Sequence, residues 1–281
     1  RNSHTMDKLV LLYAIFVMFF LQSQCYPLTD SSGDNNLSIT QDSCTPPFPI
    51  SSSFPIFGVS RTSYIISSSF VTSFDVESGC DPTLNFDLAP ISTAQNAMVG
   101  AFYADWDSTN LNGISTYKHG HYTGPSPMDG VVGITSAEWF RVTVIQATSF
   151  QGNSAGRKNT FQQITMSDGE STFVCFIYPN AAESGDPEGG ISWTASDYGE
   201  GSGGINGNLI ARAGYADGFG ISYEMPESGT EAMRSLDGVS AGAPPATSES
   251  VAEGLYCFEI TNSIGGCDES TECDGVSCGI G

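Results

Sequence analysis

Short runs of alternating apolar and polar residues set the pattern of this chain. Trp139, Arg141, Thr143 and Ile145 alternate with Phe140, Val142 and Val144, a period of two that predicts a β-strand with one buried face. Phe70, Thr72 and Phe74 alternate with Val71 and Ser73 in the same way. Residues 97–103 and 255–260 read as further strands. Residues 161–166 and 172–178 flank Ser167-Asp168-Gly169-Glu170, a glycine-containing hairpin turn. Helical periodicity of ten residues or more appears nowhere after residue 25. The pattern therefore predicts a mostly β, antiparallel, sandwich-like single domain over residues 54–262, long enough to bury its own core.

The front of the chain predicts a compartment. Lys8 precedes an unbroken apolar run from Leu9 to Leu21, and polar Gln22-Ser23-Gln24 leads to Cys25. A basic start, an apolar centre and small residues before a cut at Tyr26 are the layout of a secretory signal peptide, read here over residues 6–25 with Met6 as its start. Residues 1–5 then lie upstream of it. The run is too short to span a bilayer, which takes about 20 apolar residues. Residues 26–53, with Pro46-Pro47 and Ser51-Ser52-Ser53, lack apolar periodicity and read as a polar linker. Asn36-Leu37-Ser38 is the only N-glycosylation sequon.

Cysteine and charge agree with secretion. Eight cysteines without paired Cys-x-x-Cys clusters suit an oxidising compartment. Cys175 and Cys257 both fall inside predicted strands and are expected to pair, with Cα atoms about 4.4–6.8 Å apart. Cys44 and Cys80 bracket the first strands and are read as a second pair, although the sequence leaves other connectivities open. The net charge is −22. Nucleic-acid binding needs clustered Lys and Arg, and the nine here are scattered, which excludes that partner. The same acidity repels anionic membrane surfaces, suits a saline medium and invites divalent cations.

Four blocks resemble the NIDO domain, the extracellular module named after nidogen. They are residues 101–107 (Ala-Phe-Tyr-Ala-Asp-Trp-Asp), Asn159-Thr160-Phe161-Gln162 followed by Ser167-Asp168-Gly169, Ile191-Ser192-Trp193-Thr194, and residues 211–215 (Ala-Arg-Ala-Gly-Tyr) followed by Asp217-Gly218. Family members show similar blocks in this order. Two departures stand out: Ser69-Phe70 replaces an Asn-Gly turn, and Gln146 stands where members commonly carry Trp. The tail, residues 263–281, is similar to the opening of an EGF-like module in its Cys267, Cys273 and Cys278 spacing, and the chain is expected to be a fragment of a longer protein. The resemblance implies a secreted matrix or cell-surface module for cell–matrix adhesion, with extracellular-matrix or cell-surface proteins as partners and no catalysis. Whether a longer chain is membrane-anchored stays open.

Motifs that suggest other chemistry stand or fall on their context. Gly238-Val239-Ser240-Ala241-Gly242 has the form of a nucleophile elbow, but Pro244-Pro245 forbids the required helix and no His follows Ser240. Residues 199–204 satisfy a dinucleotide fingerprint literally, yet turn sequence replaces the helix. A secreted hydrolase is thereby disfavoured. Asp105 and Asp107 offer hard oxygens at alternate positions, a candidate Ca²⁺ site, against turn capping as the plainer reading. An acidic Ca²⁺-binding matrix protein of mineralised tissue is the alternative function. His119-Gly120-His121 places two imidazoles on one side of extended chain. Zinc needs more ligands, so both are expected to be surface loop histidines.

Overall fold

The computed structural model describes residues 26–37, 39, 43–75, 91, 94–104, 116–147, 158–179, 190–191, 211–230, 232–233, 236, 250–252 and 254–262. The strands are β1 (Asn35–Asn36), β2 (Phe48–Pro49), β3 (Pro55–Ile56), β4 (Val59–Ser60), β5 (Ser63–Ile66), β6 (Thr72–Phe74), β7 (Met98–Tyr103), β8 (Thr116–Thr123), β9 (Glu138–Ala147), β10 (Asn159–Ser167), β11 (Thr172–Ile177), β12 (Arg212–Ala216), β13 (Ser222–Glu224), β14 (Ser250–Ala252) and β15 (Leu255–Glu259). One short helix, α1 (Asp129–Val132), precedes β9. A seven-stranded sheet runs β1-β8-β9-β10-β11-β15-β14, a six-stranded sheet runs β13-β12-β7-β6-β5-β2, and β3-β4 form a small hairpin. The pairings are antiparallel, as the alternation predicts.

The core lies between the two large sheets. Phe140, Val142 and Val144 of β9, Phe161 of β10, Phe176 of β11 and Phe258 of β15 join Tyr64, Phe74, Val99 and Tyr215 in one buried cluster. Rings meet across the layers: Tyr64 stacks on Phe140 at 3.9 Å between centroids, and Tyr215 meets Phe258 edge-on at 5.5 Å. Such pairs add about 0.5–1.5 kcal/mol each beyond their burial. Gln163 carries the polar link between the sheets. Its Nε2 donates to Thr72 Oγ1 at 2.9 Å, and its Oε1 accepts the Ala101 N–H at 3.1 Å.

Several expectations need correction. The β9 strand was expected to bury one face, but the second face is covered too: Trp139, Ile164, Met166, Ile177 and Leu255 form another cluster, against which Tyr26, Leu28 and Val131 pack. Part of the cover comes from residues 128–134 around α1, and part from residues 26–37, read from the sequence as linker. The latter form a strap across the outer face of the seven-stranded sheet and end in β1, which pairs with β8. Residues 43–53 are tied in as well, through β2 and its pairing with β5. Aperiodicity misled here because the strap is fastened by single polar side chains and not by a regular apolar stripe.

The hairpin between β5 and β6 forms without an Asn-Gly pair. Phe70 itself takes φ 57°, a left-handed conformation that costs a non-glycine residue roughly 1 kcal/mol or more. Burial supplies the compensation, since the Phe70 ring sits 4.7 Å from Tyr117. Gln146 is also left-handed, at φ 54°. It lies where the β9–β10 register shifts, and its N–H donates to Thr160 Oγ1 at 3.0 Å. At the β10–β11 turn Gly169 takes φ 97°, and Asp168 accepts the Glu170 and Ser171 N–H groups.

Cys175 and Cys257 are bonded, with Cα atoms 4.1 Å apart. They face each other directly across β11 and β15. The ladder bonds run through Thr172–Ile260 and Tyr178–Gly254, which leaves Cys175–Cys257 at a non-hydrogen-bonded position, where antiparallel Cα atoms come closest. That explains a separation slightly under the expected range. Cys44 is disulfide-bonded; Cys80 lies outside the described residues.

Candidate functional site

The strap is held by a buried ion pair. Arg141 projects from β9 onto the outer sheet face, where its Nε and Nη2 donate to the two carboxylate oxygens of Asp34 at 2.8 and 2.6 Å. Its Nη1 donates to Thr29 Oγ1 at 2.9 Å. The guanidinium lies 5.4 Å from the Trp139 ring and 5.8 Å from Tyr122, within cation–π range. The Tyr122 hydroxyl also donates to Asp34; burial first, then Asp34, push that phenol up. Gln162 fastens the strap further on, accepting the Thr29 N–H at 3.0 Å and donating to the Thr29 carbonyl at 3.1 Å. Gly120 makes the arrangement possible, because a Cβ there would collide with Asp34 Oδ1 and the Tyr122 ring.

A second polar cluster lies where β8 and β9 meet the start of the domain. Glu138, only 1% exposed, accepts the Ser51 N–H at 3.0 and 3.1 Å, the Ser52 N–H at 2.7 Å and Ser52 Oγ at 2.6 Å. His121 Nε2 reaches it at 2.7 Å. Burial pushes the Glu138 carboxyl up, but the bonds from Ser52, Ser51 and His121 outweigh it and bring it down to about 2. His119 stands beside Tyr64, with Nε2 2.8 Å from the hydroxyl, and stacks on Phe48 at 4.2 Å. Burial, reinforced by His121 and opposed by Asp34, lowers His119 to about 4, so it is neutral at pH 7. Burial and then Glu138 push the Tyr64 phenol up.

This wiring differs from a nucleophile relay and holds residues 51–52 to β9. In a nucleophile relay the hydroxyl donates to the imidazole and the imidazole to the acid. Here Ser52 and His121 both converge on the Glu138 carboxylate, so no imidazole stands between the serine and the acid. The expectation of surface loop histidines is corrected: both lie on β8, His119 is buried and His121 partly so. They do share one side of the strand, as the spacing predicts. Among the described residues no group of three or more His, Cys, Asp or Glu side chains could hold a metal.

The other sequence candidates separate. Asn36 is exposed, but on edge strand β1 and not on loose chain. Asp105, Asp107, Ser240, the glycine-rich loop at 199–204, the apolar run at 9–21 and the tail at 263–281 lie outside the described residues. The sequence did not single out Asp34, Arg141 or Glu138. Only Gly120 between two histidines hints at close approach. It also missed Phe219, which is 84% exposed on the β12–β13 turn.

A protein-family model described as a nidogen-like domain matches residues 62–262. No solved structure matches the chain. Among the described residues no helix is long and apolar enough to cross a membrane.

Proposed function

This chain belongs to the nidogen-like domain family, and from that premise we propose that it is a secreted module of matrix or cell surface that mediates cell–matrix adhesion through protein binding and not through turnover. The observation that carries the reading is the match to an extracellular, matrix-type domain over residues 62–262, which hold every strand of the two large sheets except β1 and β2. The polar clusters support it. Asp34, Arg141, Gln162 and Glu138 spend their hydrogen bonds holding segments 26–37 and 51–52 to the sheet. Residues 6–25 serve in this proposal as the export signal, Asn36 as a glycan site guarding the edge of β1, and Asp105 and Asp107 as a Ca²⁺ site. The test is binding of the secreted chain to decellularised matrix. Saturable binding, competed by unlabelled chain and unchanged in Ser240→Ala, supports adhesion. A hydrolytic activity lost in Ser240→Ala would replace it with an enzyme. Chelation should lower the Tm of the parent chain and not of Asp105→Ala/Asp107→Ala, because a cation bound only to the folded state stabilises it.

A further inference from the structure

Strand β13 ends the six-stranded sheet, and no strand pairs with its outer edge among the described residues. The Met225 N–H donates to the Ala213 carbonyl and the Asp217 N–H to that of Ile221, while Tyr215 stands opposite Tyr223. Odd-numbered positions of β13 therefore bond to β12. In an antiparallel ladder the intervening residues, Ser222 and Glu224, direct their N–H and C=O groups outward.

This edge runs into a preorganised apolar tip. Asp217 is buried, and its Oδ1 accepts the Phe219 N–H at 2.7 Å and the Ile221 N–H at 3.1 Å. Gly218 and Gly220 hold φ 85° and 100°. Gly218 also lies flat on the backbone of Asn96 and Ala97, so that a Cβ would come within 2.7–2.9 Å. The ordered turn backbone thus presents Phe219 to solvent at 84% exposure, with Ile221 at 36% beside it. Edge strands are usually blunted by charge, proline or a bulge. Here the only charged residue of β13 is Glu224, and its carboxylate is spent on Arg212 at 2.5 Å and the Ile91 N–H at 2.6 Å.

We propose that β13 and the Phe219 tip form a strand-addition site for an extended segment of a partner protein, with apolar side chains toward Phe219 and Ile221 and Lys or Arg alternating with them. Main-chain bonding to Ser222 and Glu224 supplies the register, and the exposed aromatic ring on its ordered turn supplies the anchor. Charge selects the occupant. The chain carries −22, and each described Lys or Arg is already engaged: Arg61 with Asp75, Arg141 with Asp34, Arg212 with Glu224, Lys118 with the Ser31 carbonyl and Lys158 with Gln146. A cationic strand is attracted, whereas a second copy brings the same negative charge. The proposal deepens the adhesion reading and rests on it.

The probe is a capped Lys-Val-Lys-Val-Lys-Val-Lys peptide titrated calorimetrically into the full chain. Controls are the Glu-for-Lys peptide and a version N-methylated at alternate amides. Binding of the cationic peptide, at least about 10-fold weaker to Phe219→Ser and to the two control peptides and accompanied by slowed exchange of the Ser222 and Glu224 amides, is expected; that factor is about 1.4 kcal/mol. Because Phe219 is exposed, the variant should keep the parent Tm. Equal binding to parent and Phe219→Ser, or no binding at millimolar peptide, overturns the site. Self-association abolished by Phe219→Ser would seat a second copy there and overturn the proposed occupant. Matrix binding that survives Phe219→Ser leaves adhesion standing and removes this site alone.

Discussion

Replacing Asp34 with Ala tests whether the strap is an integral part of the domain. The change removes both carboxylate contacts to Arg141, at 2.8 and 2.6 Å, and the bond from Tyr122. The side chains of the ion pair are 4% and 0% exposed. Removing one partner of a buried pair costs about 3–5 kcal/mol, because the remaining charge is left without compensation. The Thr29 contact and the two aromatic faces still touch Arg141, which places the expectation near the lower end, about 3 kcal/mol. For a domain of this size each kcal/mol shifts Tm by about 2–4 °C, so Tm should fall by roughly 6–12 °C. The strap also has an escape: it can peel away and let water reach Arg141, which caps the loss at the strap's own docking energy. Thermal unfolding by circular dichroism gives the total, and hydrogen exchange over residues 26–37 shows whether the strap has detached. A double-mutant cycle with Arg141→Met isolates the pair and should return a coupling above about 1 kcal/mol. A Tm within about 1 °C of the parent, with strap amides still protected, would refute the reasoning.

Three further outcomes follow from the same contacts. Gly120→Ala forces Asp34 and Tyr122 to move and should cost about 1–3 kcal/mol in urea unfolding, but less in an Asp34→Ala background, where the closest of the three colliding atoms is gone and Tyr122 is free of its bond to Asp34. Acidification should destabilise the fold in two windows. His119 falls from 6.5 to about 4 on folding, so the unfolded chain binds the extra proton and stability drops between those values; Glu138 falls from 4.5 to about 2, so its contribution is full above 4.5 and lost on the way to 2. Urea melts from pH 7 to pH 3 should show the decline, and His119→Gln should flatten its upper window. Removing Cys175 and Cys257 together as Ala opens a loop with a sequence separation of 82, a loss of about 4–5 kcal/mol in the chain-entropy model that differential scanning calorimetry would register.

Legibility in the sequence followed periodicity. The β9 strand was legible from its alternation, while β11 (TFVCFI) and β15 (LYCFE) read as short apolar runs because both of their faces are covered, and the β10–β11 turn carries ordinary turn chemistry at Asp168 and Gly169. The pairing of Cys175 with Cys257 was legible because both sit amid apolar strand residues, Val174 and Phe176 in one case and Tyr256 and Phe258 in the other. The strap was not legible. Asp34, Thr29 and Leu28 dock singly, with no repeat, and their partners Arg141 and Gln162 lie more than 100 residues away. Arg141 looked like a solvent-facing position of an amphipathic strand, which it would be without the strap. Phe70 shows the opposite failure. Residue identity argued against a left-handed turn, and tertiary burial of its ring overrode that preference. At the β12–β13 tip, Asp217, Gly218 and Gly220 mark a turn, but pattern alone does not say that Phe219 points into water.

The most direct test of the adhesion account is a saturation isotherm of the secreted, full chain on decellularised matrix, with unlabelled chain as competitor. The account predicts a saturable, fully competed isotherm whose midpoint is the same for the parent and for Ser240→Ala. Linear, uncompeted binding, or material that is cleaved by the parent and spared by Ser240→Ala, would contradict it.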